Sequence, residues 1–490
     1  MFEKHTDWGG FLEYGGATHI ERRKAFLEMN KEVRGYDPET DLKTYLEDNG
    51  VKVVKVGAPD MEGMWRGKRI MTEFFLKTVA TEGSHFADLF FAWDPQSEPI
   101  PGLDYTGAHT GYPDLALVPD LSTLHLVAGE PGVAAVICDA FTPEGEPLEL
   151  APREVLRRVI GRAEEAGFDP ICAYEFEFYL FKGTPNELAS QGYSDLTPIT
   201  DGIFPYSFTR DSGTEWIIGD IRDRLAKMGV FIEASNSEYG PGQIEVNIHY
   251  SDAMFAADSA LILKNTVKEV AAEHGYTASF MAKVKSDVSG SSGHVHLSLL
   301  SRETGESLFA NPESPRHLSG LGMNYLSGIL RNAGHMSAIY MPTPNAFKRA
   351  AAGDFSATNC TWGVDNRTVA IRSIPSGGHS ARVENRLAGA DANPYLVIAA
   401  SIASGLDGID RKLEAGEPVV GTAYGIGDSE ELHLPISLEE AADLFSNCEV
   451  AKSYFGESFV KHYARMRQWE AEQSRLAVTD WEVKRYLERM

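Results

Sequence analysis

Basic residues are in short supply. The 490-residue chain sets 45 lysines and arginines against 71 aspartates and glutamates, a formal net charge of -26. Such a surface repels polyanions, which excludes nucleic acid and anionic membrane as partners. Cysteine is scarcer still: Cys138, Cys172, Cys360 and Cys448 stand apart, with neither the CxxC spacing of a zinc knuckle nor the density of a disulfide framework. A reducing cytoplasm is the expected location. No apolar run approaches the roughly 18 residues of a membrane span, and the start, MFEKHTDWGG, lacks a signal-like apolar region. Also missing are a Walker loop, a GxGxxG turn and a kinase catalytic loop, so any nucleotide would have to be held by other means.

What is present is an apolar content of 43%, enough for one large domain and a smaller one. Asp37 reads as the cap of a helix over 38–49, with Pro38 in its first turn and Gly50 closing it. VKVVKV follows as a strand and EGMWRGKRI as a hairpin crossing, so residues 1–145 are expected to form a small α+β unit. TPEGEPLELAP, 142–152, is the expected linker or hairpin before a larger unit over 146–490. There PREVLRRVIGRAEEAG carries Val155, Leu156, Val159, Ile160 and Ala163 at helical spacing, ending at Gly167. Further helices in EWIIGDIRDRLAKMG and DSALILKNTVKEVAAEHG alternate with strands in GQIEVNIHY, SGHVHLSLL and RTVAIRSIP, without a regular βαβ beat. The fold class is therefore α+β. ANPYLVIAASIASGLDGI, opened by Asn393 and Pro394 and rich in small residues, reads as a tightly packed buried helix.

The chemistry-bearing residues sit in these strands. In AYEFEFYLF, 173–181, alternation puts Glu175 and Glu177 on one face and Tyr174, Phe176, Phe178 and Leu180 on the other. Glu238 and Glu245 flank the Gly-Pro-Gly turn of SEYGPGQIEV, His294 and His296 share one face of GHVHLSLL, and Glu384 stands with Arg386 in RVENR. Any one of these glutamates is most simply a solvated or paired surface group. Together, five carboxylates and a histidine in or beside apolar strands supply donors for two hard divalent cations, magnesium or manganese, provided the strands converge. Arg349, Arg367, Arg372, Arg382 and Arg386 form a complementary set, suited to a nucleotide polyphosphate and an anionic substrate.

In this order, EFEF, EYGPGQIE, GSSGHVH, NAFKR, NRTVAIRSIP and RVENR with ADANPY resemble the glutamine synthetase superfamily, from about residue 40 to the C-terminus, where TDWEVKRYL also fits. The resemblance implies a β-grasp N-terminal domain and a catalytic domain whose antiparallel sheet forms an open funnel. It also implies a homo-oligomer, a dodecamer of two hexameric rings, with each active site between one subunit's sheet and its neighbour's N-terminal domain. Carried over by position, Glu177, Glu238 and Glu245 would hold one cation, and Glu175, His294 and Glu384 the other. His296, Arg367, Arg372 and Arg382 would contact the ATP phosphates, and Gly290, Arg349 and Arg386 would grip L-glutamate. The implied reaction transfers the ATP γ-phosphoryl group to the glutamate side chain, after which an amine attacks the γ-glutamyl phosphate.

One departure bears on the amine. Ammonia-using members carry a flap resembling KRLxPGYE, whereas this chain reads KRAAAGDF: Phe355 stands in the place of the glutamate, Ala352 replaces the proline and Asp354 is the remaining carboxylate. An aromatic ring in place of a charge makes an apolar pocket. That points to a γ-glutamyl amine ligase for a primary amine with a hydrophobic body, alkyl or aryl, such as aniline. Trp93 beside Asp94 in FAWDP, and Asp114 in GYPDLALVP, are further expected members of the amine pocket. The rival readings are an ammonia-dependent glutamine synthetase with an altered flap and a non-catalytic assembly protein on the same fold.

Overall fold

A computed structural model of the chain describes residues 36–37, 40–314, 317–352, 355–376, 378, 380–426 and 433–490. Pro38, Asp354 and residues 1–35 lie outside the described residues. The first described helix is α1, Leu42–Asp48, and its cap is Asp41, not Asp37. The Asp41 carboxylate accepts both the N–H and the hydroxyl of Thr44 at 2.9 Å, a local pairing that starts the helix later than the Asp-Pro signal implies.

Two sheets follow. In the first, β1 (Val53–Pro59), β2 (Trp65–Met71), β3 (Ser84–Ala87), β4 (Asp114–Pro119), β5 (His125–Leu126) and β6 (Val133–Phe141) run in the order β2-β1-β6-β4-β3, with β5 on β6. The Pro/Gly/Glu-rich stretch after it is a tight turn rather than a free linker. Gly145 N–H bonds Thr142 O at 2.9 Å, and Leu148 N–H returns to Ala140 O at 2.8 Å. Helix α2, Pro152–Glu165, then buries Val155, Leu156, Val159 and Ala163 as its periodicity requires.

The second sheet is built on β7, Phe168–Lys182. Among the described residues it joins β8 (Ile232–Ser237), β9 (Gln243–Ile248), β10 (Ser251–Asp252), β11 (Tyr276–Ser279), β12 (Gly293–Ser301), β13 (Trp362–Val364), β14 (Ile371–Ile374) and β15 (Arg382–Asn385), with a main path of β13-β14-β15-β12-β7-β9-β8. One face is core: Tyr174, Phe176, Phe178, Val246, Val295, Leu297 and Val383 are all buried. They lie over α3 (Phe208–Lys227), α4 (Ala253–Glu273), α5 (Gly320–Asn332) and α7 (Pro394–Asp410) as a helical layer, with α6 (Pro344–Ala352) outside it. The small residues of α7 do what their sequence implies. At the α5 crossing a Cβ on Gly328 would meet Ser404 O at 2.1 Å, so the helices touch backbone to backbone. No helix among the described residues is long and apolar enough to cross a membrane.

The two sheets are welded by buried charge. Arg153, in the first turn of α2 and 3% exposed, bonds Asp139 Oδ1 of β6 at 2.6 Å, Asp120 Oδ2 at 2.7 Å and both Asp258 oxygens of α4 at 3.1 Å. Tyr395 of α7 donates to the same Asp258 at 2.7 Å. Asn393 caps α7 through Tyr395 N–H at 3.1 Å while its amide reaches Asp60 O at 3.1 Å and Met61 O at 3.2 Å in the β1–β2 turn. Replacing Arg153 by alanine strips the buried Asp258 of its guanidinium and leaves Asp139 to Arg157 alone. Denaturant unfolding should show a loss of about 3–5 kcal/mol, and a loss below about 1 kcal/mol would mean the weld is not structural.

Candidate functional site

The face of the second sheet opposite the core carries the charged residues, and strand register brings them into one row. Glu177 is paired with Glu245 across β7 and β9, Glu175 with His294 across β7 and β12, His296 with Glu384 across β12 and β15, and Glu384 with Arg372 across β15 and β14. Alternation along each strand fixes which face a residue takes; the antiparallel register, set over the whole length of β7, decides which residues meet. Glu238 follows β8, where its N–H bonds Gln243 O at 3.0 Å at the head of β9.

Glu175, His294 and Glu384 each offer a ligand atom within 4.8 Å of the other two. His294 Nδ1 is 3.7 Å from Glu175 Oε2 and 3.3 Å from Glu384 Oε1, and its buried Nε2 has no hydrogen-bond partner among the described residues. Two carboxylates and an imidazole, without sulfur, fit a divalent cation such as magnesium or manganese. Burial and the neighbouring Arg386 push the imidazole down to about 4, so it is neutral and has a lone pair to offer.

The remaining charges show how the face is neutralised. Burial works to raise Glu175, but His296, whose Nε2 lies 2.9 Å from Glu175 Oε1, and His294 outweigh it and hold the carboxyl well below its usual value. Glu384 is likewise lowered against burial by Arg386, which bonds Oε1, then by the histidines; Arg372 Nη1 meets Oε2 at 3.1 Å. Glu177 is raised by burial, although Ser292 N–H donates to it at 2.8 Å and Gln243 Nε2 at 3.1 Å. Glu238 and Glu245 have no such help. Burial and then the charge of Glu177 push Glu238 up to about 7, while burial and then Glu175, Glu177 and Glu238 push Glu245 up to about 8. Their only recorded side-chain donors are the neutral amides Asn236 at 3.0 Å and Asn247 at 3.3 Å, with Tyr239 N–H at 3.2 Å from Glu238. One end of the row thus has the arginines on Glu384, while at the other burial and mutual repulsion favour the protonated carboxyls.

The arginines surround this row. Arg382 Nε donates to His296 Nδ1 at 3.1 Å. Arg367 is exposed beside a cavity of about 400 Å³ lined also by Asp365, Asn366 and residues 418–421. Arg349 is buried, held by Leu387 O at 3.1 Å and Arg386 O at 3.3 Å. It presses on the loop at Gly290, where a Cβ would come within 2.6 Å of Arg349 Cγ and 2.8 Å of Ala282 O, so only glycine fits. Phe355 stands at the same face: Arg386 Nη2 donates to its carbonyl at 3.2 Å. Three further expected members of the amine pocket belong to the N-terminal unit. Trp93 lies against Phe90 and under Arg66, Asp114 is exposed at the start of β4, and Asp94 accepts Gln96 N–H and Glu98 N–H at 2.9 Å in its own turn.

Three nearby residues escape a reading of the motifs. Gln243 links Glu177 to the Gly290 carbonyl, at 3.1 and 2.9 Å. Tyr239 packs its ring against Phe355 with centroids 5.5 Å apart. Tyr206, whose N–H bonds Ser237 O at 3.0 Å just before Glu238, is raised by burial and then by Glu238 and Glu245, with Arg367 opposing. Tyr239 and Gln243 lie inside SEYGPGQIEV, next to the glutamates that drew attention; Tyr206 carries no local signal.

A mostly antiparallel open sheet, only its β13–β14 pair parallel, with a cation triad and an arginine rim on one face defines a class of metal-dependent enzymes that act on anions. Residues 149–486 match the family described as glutamine synthetase, catalytic domain. The chain belongs to the glutamine synthetase family. It is 46% identical to a glutamate–isopropylamine ligase of Pseudomonas sp over 91% of this chain and 97% of the relative. With a gamma-glutamylethanolamide synthetase, GlnA4, of Streptomyces coelicolor the identity is 34% over 92% and 96%. The solved structure of a GmaS/ADP complex superposes with a TM-score of 0.80, at 29% identity, covering 92% of this chain and all of that one.

Protonated carboxyls beside a cation site give a direct expectation. A cation at the triad favours the ionised forms of Glu238 and Glu245, whose values near 7 and 8 apply to the cation-free protein. Manganese binding, followed by calorimetry in buffers of different ionisation enthalpy, should release protons near pH 7 and weaken as the pH falls from 8 to 6. Affinity independent of pH, without proton release, would show that these carboxyls are already ionised.

Proposed function

We propose that the protein joins the side-chain carboxylate of L-glutamate to a primary amine with a hydrophobic body, alkyl or aryl. It is an ATP-dependent glutamate–amine ligase that acts through a γ-glutamyl intermediate. The observation that carries the choice of amine is Phe355: an aromatic ring, half-exposed, anchored through its carbonyl to Arg386 at the edge of the acidic face. Similarity to the glutamate–isopropylamine ligase supports the same reading.

In this reading Glu175, His294 and Glu384 hold one cation and Glu177, Glu238 and Glu245 a second. Bound divalent cations neutralise the phosphoryl group and the carboxylate that must approach each other. The chain's own part is positioning. Arg367, Arg372, Arg382 and His296 receive the polyphosphate, and Arg349 and Arg386 orient glutamate beside the Gly290 loop, which the close approach of Arg349 keeps narrow. Arg372 and Arg386 both rest on Glu384 in the ligand-free chain, so charge brought to that carboxylate releases guanidinium groups for the substrates. The amine attacks as a neutral nucleophile. An apolar wall suits a substituted amine, whereas ammonium gains nothing from it. Trp93, Asp94, Asp114 and Asp354 are assigned to the amine entrance, the first three from a neighbouring subunit's N-terminal unit in a two-ring dodecamer.

The test is phosphate release from ATP with L-glutamate and magnesium, comparing ammonium, short alkylamines, polyamines and anilines at one pH. An apolar monoamine should exceed ammonium in kcat/KM by about tenfold or more. Replacing Glu384 by alanine should reduce kcat by about 10²–10³-fold. Ammonium as the best substrate would make the protein a nitrogen-assimilating glutamine synthetase, and no turnover with any acceptor would return it to the assembly reading.

A further inference from the structure

Tyr239 has no part in the cation, phosphate or glutamate sites just described, yet it stands at their edge. It directly follows Glu238, and its N–H donates to that carboxylate at 3.2 Å, which pins its backbone to the acidic end of the row. Its ring meets that of Phe355, centroids 5.5 Å apart and planes inclined at 42°. The two rings arrive from opposite directions. Tyr239 comes from the turn between β8 and β9, whereas Phe355 follows α6 and is held by Arg386. Phe355 adopts φ of +56°, a left-handed conformation that is rare for a bulky residue and persists where the surroundings impose it. Its carbonyl is held by the guanidinium that also bonds Glu384 of the cation triad. Both rings nevertheless remain open to a ligand, Tyr239 43% and Phe355 50% exposed.

We infer that Tyr239 is a specificity-determining residue, forming with Phe355 a two-ring wall for the hydrocarbon body of a monoamine; this rests on the hydrophobic-amine reading above. Two aromatic faces beside a carboxylate match a molecule with a polar nitrogen at one end and an apolar group at the other. Ammonium has no apolar group to place there. A polyamine would set its second charge against rings where it needs a carboxylate. Tyr239 is the ring packed on Phe355.

The experiment compares kcat/KM for isopropylamine with that for ammonium in the wild type and in Tyr239→Ala, Tyr239→Phe, Tyr239→Leu and Phe355→Ala, with thermal unfolding as the check on folding. In Tyr239→Ala the ratio should fall about tenfold or more, within the roughly 10–200-fold range for lost apolar contact. The loss should appear in the KM for the amine rather than in those for glutamate and ATP, and Tyr239→Phe should restore the ratio. A wild-type preference for isopropylamine that survives unchanged in both Tyr239→Ala and Tyr239→Leu overturns the inference and leaves the ligase reading standing. A wild type that prefers ammonium to every apolar amine removes the hydrophobic-amine reading and the wall with it.

Discussion

Mutual repulsion among five carboxylates governs this molecule. Glu175, Glu177, Glu238, Glu245 and Glu384 share one face of one sheet, and charges taken out of water at such density are tolerated only when neutralised. The chain neutralises them in three ways. Imidazoles lie against Glu175, arginines hold Glu384, and burial raises Glu238 and Glu245 towards their protonated forms. In the proposed reading a bound cation displaces the protons and frees the guanidinium groups to meet anions. A face built this way is poised to gather cations, phosphate and carboxylate together, which is what a ligase of this family has to do.

The scaffold follows from that need. A fixed row of like charges demands a sheet whose register does not slip, and β7 supplies it with a long alternating run whose apolar side, Tyr174, Phe176 and Phe178, is wholly buried. Behind it α7 is locked to the strand by Tyr174 donating to Pro394 O at 2.8 Å and to the first sheet by Asn393. Arg153 then fixes the first sheet, through Asp139, to the helical layer, through Asp258. Site and frame are thereby a single packed unit. Displacement of one strand would move its glutamate and its core residues together.

Much of this was legible in the sequence, and the reason is periodicity. Strand alternation alone puts Glu175 with Glu177 and His294 with His296, and the buried character of α7 follows from its small residues. What could not be read locally is what depends on register or on distant chain. The meeting of Glu175 with His294, and of Glu384 with Arg372, is set by pairings between strands far apart in sequence. Arg153 looks like an ordinary first-turn arginine until Asp120, Asp139 and Asp258 are brought round it. The helix start at Asp41 was obscured by the stronger Asp37-Pro38 signal, and Tyr239 was masked by the glutamate beside it. The two N–H bonds that Asp94 accepts within its own turn are likewise invisible in the sequence.

The most direct measurement is anomalous scattering from crystals soaked in manganese and ADP. The account predicts one peak enclosed by Glu175, His294 and Glu384 and a second beside Glu177, Glu238 and Glu245, with Arg386 drawn away from Glu384. An acidic face without a peak, and Glu384 still clasped between Arg372 and Arg386, would contradict it.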